Sequence, residues 1–469
     1  MRRSLFLTFL ACTGFAACKS GQSTTTFGSS SGSSSGSSGG GGPTFTVTTI
    51  AAVGGAGAST AVAFNSAKLA FATLTSLPLA TTNNCTIGNN FGTPVSSIQP
   101  TFDLWYGESV DGVTFTTTKV DTPMYASEAP PLSSPSLALD ANGVATVAYA
   151  GGVATDEATA ARRCGAALLV TRTGPSFASA TALASSSQSA GKNANQDSTV
   201  QCTAQDVCDA GDITGFDPAI AFDKNNTPVF AFRDIHFGVQ GDDRDKSDVE
   251  FLRGTTAEQF ITADLATGGG IDNRIAILPN GKAAIAFSNV SGAEPSGPGV
   301  YVGTEKGALD WTITRVFAGS VGAHIGFAVS ATGRYSLAYY DKAQKLLEYT
   351  ESTDGVTWST VADVDTSGLT GQMPSLALDP SGEPAIAYYR CNTSAKATSC
   401  DKSRDGVRVA RRSNGTWQAH DASAQSSQLD GQNPALGFLK GKEVVVFQSV
   451  AFDPGSGANT VTLQVAKEN

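Results

Sequence analysis

Arg, Asp and Tyr residues follow several apolar runs of this sequence, and these residue types can bind or act on a charged or sugar-like ligand. Tyr340 and Asp341 end one such run, and Tyr389 and Arg390 end another. If they converge, a Tyr, an Asp and several Arg could support glycosidic chemistry or recognise sugar rings and carboxylates. Each alone could equally be a solvated strand end or a packing residue. The candidate ligand-binding residues are Arg233, Asp234, Arg274, His324, Tyr340, Asp341, Tyr389 and Arg390.

Other reactive constellations are weaker. The three histidines, His236, His324 and His420, lie in different parts of the chain, which disfavours a metal site or a nucleophile triad. Acidic runs at 209–217 and 242–245 could offer oxygen ligands to Ca²⁺, but their spacing matches no recognised calcium loop. Phosphate-cradling glycine motifs are absent from the sequence. We therefore expect no cofactor, with Ca²⁺ as the one alternative.

The composition argues against nucleic acid as a partner. The chain has 469 residues and a formal net charge of −10, and no cluster of Lys or Arg interleaves with aromatic residues. Without such a basic stripe nothing neutralises phosphates. An acidic balance favours solubility, and we expect a monomer.

The first residues indicate export. Two Arg residues precede an apolar run, residues 5–15, that is too short to span a bilayer as a helix. The run ends in Phe-Ala-Ala-Cys at Cys18 and resembles the lipobox of bacterial lipoproteins, which implies that Cys18 is lipidated. Lys19 stands where an Asp would imply inner-membrane retention, so we expect the outer membrane, on its periplasmic or cell-surface side. The alternative is a secreted protein cleaved near Ala17.

A Gly/Ser-rich stretch separates this signal from the rest of the chain. Residues 28–42 contain only Gly and Ser, and such a linker behaves as a flexible coil. We predict three parts: a lipoprotein-type signal over 1–18, a tether over 19–42 and a folded domain over 43–469.

Six cysteines follow the signal, an even number in a chain destined for an oxidising compartment, which favours disulfides. Zinc is the rival interpretation, but the six include no Cys-x-x-Cys pair. Cys202 with Cys208 and Cys391 with Cys400 would close short loops, which leaves Cys85 to pair with Cys164. The candidates are Cys85, Cys164, Cys202, Cys208, Cys391 and Cys400.

Seven related segments run through the chain after Pro43. PSLALDPSGEPAIAYYR at 374–390 aligns with PSLALDANGVATVAYAG at 135–151 and PAIAFDKNNTPVFAFRD at 218–234. Each segment holds two apolar runs joined by a Gly, Asn or Pro turn, which predicts a β-hairpin. Small and large residues alternate and both faces are apolar, so each strand should be buried between neighbouring sheets. Weaker copies lie at 59–74, 273–289, 325–341 and 433–449.

A second repeated phrase marks turns. SVDGVTF at 109–115 is nearly repeated as STDGVTW at 352–358, with NGTW at 414–417 as a related form. Gly accepts the positive φ of a tight turn while Asp and Ser accept backbone hydrogen bonds, so we predict turns between third and fourth strands. Repeated four-stranded units of this kind indicate an all-β, seven-bladed β-propeller. The last unit lacks a fourth strand, and we predict that residues 44–50 supply it and close the ring.

These turns resemble the Asp-box (BNR) repeats of sialidase-like β-propellers, and the hairpins resemble repeats of secreted bacterial β-propeller lipoproteins. The resemblance covers nearly all of the chain after Pro43. It implies a propeller but no particular activity, because Asp-boxes also occur in non-enzymatic propellers. Sialidases use an Arg cluster against the substrate carboxylate and a Tyr nucleophile helped by a Glu. Here their Arg-Ile-Pro motif is missing and no Glu stands beside Tyr340 or Tyr389 at the predicted rim.

We therefore expect a cell-envelope lipoprotein whose propeller face binds a carbohydrate or another protein. A sialidase-like glycoside hydrolase is the enzymatic alternative, and a scaffold in an envelope complex is the structural one.

Overall fold

The computed structural model describes residues 43–53, 60–76, 82–86, 95–98, 102–122, 134–153, 162–185, 213–235, 247–254, 258–261, 270–289, 297–307, 310–394, 396–401, 403–423, 429–452 and 459–469. Regular elements in these ranges are all β-strands, and they form the seven blades of a β-propeller. The predicted fold is confirmed. No helix in these ranges is long and apolar enough to cross a membrane. The predicted signal and tether lie outside them.

The first three blades follow one another in chain order after an N-terminal strand, β1 (Phe45–Val53). Blade one contains β2 (Ala61–Phe64), β3 (Leu69–Ser76), β6 (Phe102–Ser109) and β7 (Thr116–Asp121), with a hairpin of β4 (Thr82–Thr86) and β5 (Val95–Ile98) inserted before β6. Blade two contains β8 (Ser136–Leu139), β9 (Ala145–Val153), β10 (Arg162–Thr173) and β12 (Thr181–Ser185), with the short β11 (Ser176–Phe177) also on β10. Blade three contains β13 (Ile213–Phe222), β14 (Pro228–Ile235), β15 (Ser247–Arg253) and β16 (Glu258–Ile261).

The remaining blades repeat the same antiparallel order. Blade four contains β17 (Ile271–Ile277), β18 (Ala283–Asn289), β19 (Gly299–Gly307) and β20 (Asp310–Ala318). Blade five contains β21 (Gly326–Val329), β22 (Tyr335–Asp341), β23 (Leu346–Ser352) and β24 (Ala362–Asp365). Blade six contains β25 (Leu369–Leu378), β26 (Pro384–Asn392), β27 (Gly406–Ser413) and β28 (Thr416–Asp421). Blade seven contains β29 (Leu429–Leu439), β30 (Lys442–Phe452), β31 (Asn459–Glu468) and β1.

The pairing of β1 with β31 closes the ring. The two strands are antiparallel, with Phe45 opposite Glu468 and Val53 opposite Val461. Beyond the last pair, the backbone N–H of Asn469 donates to the carbonyl oxygen of Thr44 at 2.9 Å. The prediction that the N-terminal strand completes the last blade is confirmed.

The alternation of small and large residues along the first strands sets how the blades pack. A Cβ added to Gly437 of blade seven would lie 2.6 Å from the ring of Phe64 in blade one. One added to Gly326 of blade five would lie 2.6 Å from Leu376 of blade six. The small side of one first strand therefore receives the large side of the next. The equivalent small residues nearest the middle of the seven strands are Ala63, Ala138, Ala221, Ala276, Ala328, Ala377 and Gly437.

The two repeated turns connect third to fourth strands, β6 to β7 and β23 to β24. In both, the Asp carboxylate accepts the backbone N–H groups two and three residues later, at 2.7 or 2.8 Å. The Ser hydroxyl accepts the N–H of the turn Gly at 2.8 or 2.9 Å. Because successive strands reverse direction, these turns lie at the end of the propeller away from the start of the first strands.

Ion pairs join the third strands of neighbouring blades near that same end. Two of the arginines in these pairs also stack on a tyrosine. The Arg172 guanidinium lies 5.3 Å from the ring centroid of Tyr106, and the Arg412 guanidinium lies 5.5 Å from that of Tyr349. Stacking and partial burial make these pairs firmer than exposed ones. The pairs are Glu108 with Arg172, Arg253 with Glu305 at 2.7 Å, and Glu351 with Arg412 at 2.6 Å.

Two inserts concern the predicted disulfides. β4 pairs in parallel with β10 of blade two, with Cys85 opposite Arg162, two positions before Cys164. The side chains of Cys85 and Cys164, and the whole of the 202–208 segment, lie outside the described part. Cys391 and Cys400 form a disulfide with a Cα–Cα distance of 4.6 Å, which closes the loop between β26 and β27.

Candidate functional site

Within the described residues, the first strands of five blades share the same irregularity in or just before their first half. A non-glycine residue stands there with positive φ, two residues after a Gly. Ladder pairing shifts register around this residue in β13, β17, β25 and β29. A left-handed conformation costs an L-residue about 1–2 kcal/mol, so the packed blades must impose it. We call these residues the mouth ring: Asp217 (φ 46°), Asp272 (55°), His324 (66°), Met373 (54°) and Asn433 (49°).

The mouth ring opens into a central channel. Four of its members, Asp217, Asp272, His324 and Asn433, line a cavity of about 420 Å³. Below them the wall is built mainly from apolar residues of the first strands. The surface exposed to the cavity is divided about equally between polar and apolar atoms, and the cavity volume falls in the usual range for small-molecule pockets.

Asp272 is the most constrained member of the ring. Its carboxylate lies 2.7 Å from Arg274 Nη2 and 3.0 Å from His324 Nδ1, and it accepts the backbone N–H of Ile325. Burial by itself would raise the pKa of Asp272, but the charges of Arg274 and His324 and these hydrogen bonds hold it below its usual value. Asp272 is therefore a carboxylate anion at neutral pH and a weak proton acceptor.

Asp217 has the opposite electrostatic environment. Burial raises the pKa of Asp217 to about 6, the negative charge of Asp272 adds to the shift, and the charges of Arg233 and Arg274 oppose it. The backbone N–H of Asp272 also hydrogen-bonds to this carboxyl group, from the next blade. Asp217 is therefore mostly ionised at pH 7 and takes up a proton as the pH falls through about 6.

His324 connects blades that are not neighbours. Its Nδ1 contacts Asp272 of blade four, and its Nε2 lies 3.1 Å from Asn433 Oδ1 of blade seven. The Asn433 side-chain amide donates to Gln448 Oε1 at 3.3 Å, and its backbone N–H contacts Met373 Sδ at 3.4 Å. The chain of contacts from Asp272 to Gln448 thus crosses one side of the mouth.

Arg274 breaks a pattern of small residues one level below the ring. Its Nε donates to the carbonyl oxygen of Ile325 at 3.1 Å and its Nη1 to that of Asn273 at 3.0 Å. With the Asp272 contact, the described residues engage three of its five N–H donors. The equivalent residues of the other blades are Ala61, Ser136, Ala219, Gly326, Ser375 and Ala435.

Three of the predicted site residues belong to this part of the molecule. Arg274 and His324 line the channel. Arg233 lies on β14 opposite Phe216, and its charge acts on Asp217. Asp234 follows it on β14, opposite Thr214, but its side chain is outside the described part.

The structure places the two predicted tyrosines behind the ring rather than in it. Tyr340 and Tyr389 are 6% and 2% exposed. The Tyr389 hydroxyl donates to Asp405 Oδ2 of its own blade at 3.0 Å. Each tyrosine also contacts a Gln of the next blade, Gln372 or Gln432, which directly precedes a mouth-ring residue. Their contribution is thus to hold the bulges of the neighbouring blade.

Asp341 and Arg390 are also used within the fold. Asp341 Oδ1 accepts the backbone N–H groups of Ala343 and Gln344 at 2.7 and 3.1 Å. Arg390 is 5% exposed, and its Nη1 donates to Asp421 Oδ1 at 2.7 Å. The expectation of a rim position fails for Arg390 because β26 continues to Asn392, so residues 389 and 390 pair within the sheet.

Four mouth-ring members were not among the predicted ligand-binding residues: Asp217, Asp272, Met373 and Asn433. A signal was present in the repeated phrases TGFDP, GGIDN, TGQMP and DGQNP, each a Gly two residues before the ring position. The predicted acidic run at 242–245 lies outside the described part, as do residues 209–212 of the run at 209–217. Within the described part, no group of three or more His, Cys, Asp or Glu is arranged to hold a metal ion.

No family model and no curated protein matches the chain. Among solved structures, the polysaccharide lyase Uly1 is similar at 10% identity over 90% of this chain and 92% of its own, with a TM-score of 0.46. The Hadza microbial sialidase Hz136 is similar at 12% identity over 89% and 94%, with a TM-score of 0.43. The α-L-arabinanase of Penicillium chrysogenum covers 53% of this chain and 92% of its own, at 10% identity and a TM-score of 0.37. Similarity at this level does not identify a ligand for this chain.

Proposed function

We propose that the protein binds a carbohydrate at the mouth ring. The observation that carries the proposal is the repeated left-handed bulge, because it directs polar side chains from separate blades into one opening. Sugar hydroxyls both donate and accept hydrogen bonds. Asp217 and Asp272 offer acceptor oxygens, and Arg274 offers donors, while the apolar wall suits the C–H faces of a sugar ring.

Binding fits the ring better than hydrolysis because of the state of Asp272. A glycosidase needs two carboxyl groups with separate roles, one to give a proton and one to act as base or nucleophile. Asp272 is held by Arg274, His324 and the Ile325 N–H, which lowers its basicity. It is therefore suited to organise the site rather than to react.

Glycoside hydrolysis is the second candidate, and the raised pKa of Asp217, about 6, is the observation that favours it. In that reaction Asp217 gives its proton to the glycosidic oxygen as the bond from that oxygen to the anomeric carbon breaks. Water then bonds to the anomeric carbon and releases a proton to solvent. Release of 4-methylumbelliferone from a panel of its glycosides, abolished in Asp217→Asn, would support this candidate, and a panel without turnover would remove it.

We extend the proposal to the cell envelope, on the sequence pattern at Cys18 and the Gly/Ser stretch after it. The protein is then a lipid-anchored monomer that presents its propeller at the outer membrane, with turns of the Asp-box type. Incorporation of radiolabelled palmitate that is lost in Cys18→Ser tests the anchor. Absence of label in the unaltered chain would contradict it.

The direct test of the proposed function is a glycan array that includes sialylated and uronic-acid sugars, probed with the chain from Pro43 onward, which contains every strand of the ring. We expect selective binding that is lost in Asp272→Asn and in His324→Ala. Asp363→Asn is the matched control, because Asp363 is an exposed carboxylate on the outer strand β24. Circular dichroism confirms that each variant is folded. If no glycan on the array is bound, or if both Asp272→Asn and His324→Ala still bind, the proposal is contradicted and a protein ligand is favoured.

A further inference from the structure

The channel below the mouth ring has an unusual wall. The cavity that begins at the ring continues past Leu376 to Phe64, Val329 and Leu378 at the far end of the first strands. These apolar side chains are half-buried, so part of each faces the open channel. The second strands differ, since β18, β22 and β26 are buried along their whole length. Apolar surface therefore remains unfilled along the axis.

Small residues border the cavity between the ring and this apolar wall. One level below the ring, six of the seven blades place Ala, Ser or Gly. Arg274 is the exception, but its contacts with Asp272 and with the carbonyl oxygens of Asn273 and Ile325 hold its guanidinium at the level of the mouth. One cavity therefore runs from the polar ring to the apolar part.

We propose that this channel takes the aliphatic substituent of an amphiphilic saccharide whose sugar part binds at the mouth ring. The assignment of the head group rests on the proposed function. The assignment of the tail rests on the continuity of one cavity from polar residues to apolar ones. A free sugar would leave the apolar wall in contact with water, whereas each methylene that enters the channel removes apolar surface from water.

The test compares methyl, butyl and octyl β-D-glucopyranosides, below their micelle concentrations, by calorimetry with the chain from Pro43 onward. Affinity should rise about three- to fourfold for each methylene that enters the channel. Val329→Asp and Leu378→Asp each place a charge in the apolar part and should abolish the dependence on chain length. Val361→Asp is the matched control, since Val361 is 41% exposed on the outer surface.

The outcomes separate this inference from the proposed function. Octyl glucoside that binds no more tightly than methyl glucoside, or binds equally well to Val329→Asp and Leu378→Asp with both folded, overturns the inference. Chain-length dependence that survives Asp272→Asn and His324→Ala with unchanged affinity supports the apolar site and removes the sugar site. Glycan binding on the array, combined with alkyl glucoside affinities that do not depend on chain length, supports the sugar site and removes the apolar site.

Discussion

Asp217 lies in the middle of β13 and Asp223 directly follows that strand, and their carboxyl groups behave in opposite ways. Asp223 begins the turn to β14, and its Oδ1 accepts the backbone N–H groups of Asn225 and Thr227 at 2.9 Å. Although burial opposes it, these bonds and Arg253 lower the pKa of Asp223, whereas burial raises that of Asp217 to about 6. One residue type thus serves a turn at one end and a cavity at the other.

The same contrast holds around the ring. At the turn end, Asp140 and Asp379 repeat the pattern of Asp223, each accepting backbone N–H groups of its own hairpin. At the mouth end, the ring position holds Asp in two blades and His, Met or Asn in the other three, and its partners come from other blades, as in the contact of His324 with Asn433. The Asp residues that are repeated in the turns and bond within their own hairpin have a structural role. The mouth-ring position keeps the same backbone conformation while its side chain varies, so it is the place where the specificity for a ligand can be set.

The largest expected effect comes from removing the centre of the mouth ring. In Asp272→Ala, Arg274 loses its carboxylate and the N–H of Ile325 loses its acceptor, so we expect a loss of about 3 kcal/mol in the free energy of unfolding together with loss of ligand binding. Urea denaturation and the glycan array measure the two. A stability change below about 1 kcal/mol would show that Asp272 is not the link between blades that its contacts indicate.

A pH series sharpens the comparison for Asp217. Because its folded-state pKa is raised to about 6, its contribution to stability is fully present below about pH 4 and is lost as the pH rises through about 6. Between pH 4 and pH 7 the unaltered protein should therefore lose up to about 3 kcal/mol more stability than Asp217→Asn. Asp405, whose pKa burial also raises to about 6, is present in both proteins and cancels. Parallel pH profiles would contradict the assignment.

The turn end provides the complementary variant. Asp223→Ala removes the acceptor for two backbone N–H groups and a partner of Arg253, and should cost about 2 kcal/mol in the free energy of unfolding. We expect carbohydrate affinity to stay within twofold of that of the unaltered protein, measured by calorimetry. A variant that folds but no longer binds would mean that the two ends are coupled.

The smallest expected effect concerns backbone strain at Met373. Asn tolerates positive φ better than Met and already stands at the equivalent position in blade seven, Asn433. Met373→Asn should therefore change the free energy of unfolding by less than about 1 kcal/mol, while Met373→Val, with a β-branched side chain, should lower it by about 1–2 kcal/mol. Equal stability of the two variants, by thermal denaturation, would argue against an imposed left-handed conformation.

Local patterns were enough to predict the blades. Apolar runs on both sides of a turn predicted the hairpins, and the Asp and Ser of 109–115 and 352–358 predicted the turns. The absence of a fourth strand in the last unit predicted the closure by β1. All of these follow from residues close in sequence or from one pairing of similar strands. The small and large alternation also predicted correctly how blades pack, since Gly437 receives Phe64.

The mouth ring could not be found in the same way, because its geometry depends on backbone and on distant partners. A residue at positive φ leaves the alternation of the strand, so the periodicity that located the hairpins did not identify Asp217 and Asp272 as site residues. The prediction of a rim at residues 389 and 390 failed for a related reason: β26 runs on to Asn392, and Tyr389 supports Gln432 of the next blade instead.

The closure by β1 and β31 has a mechanical consequence. Phe45 stands opposite Glu468, so the two strand ends emerge side by side. A force that pulls them apart acts on one backbone pair at a time, as in unzipping, instead of loading all pairs together in shear. Once β1 is drawn away, β31 becomes an open edge that can accept another strand. Tension on the segment before Phe45 is thereby converted into exposure of a β-strand edge on blade seven.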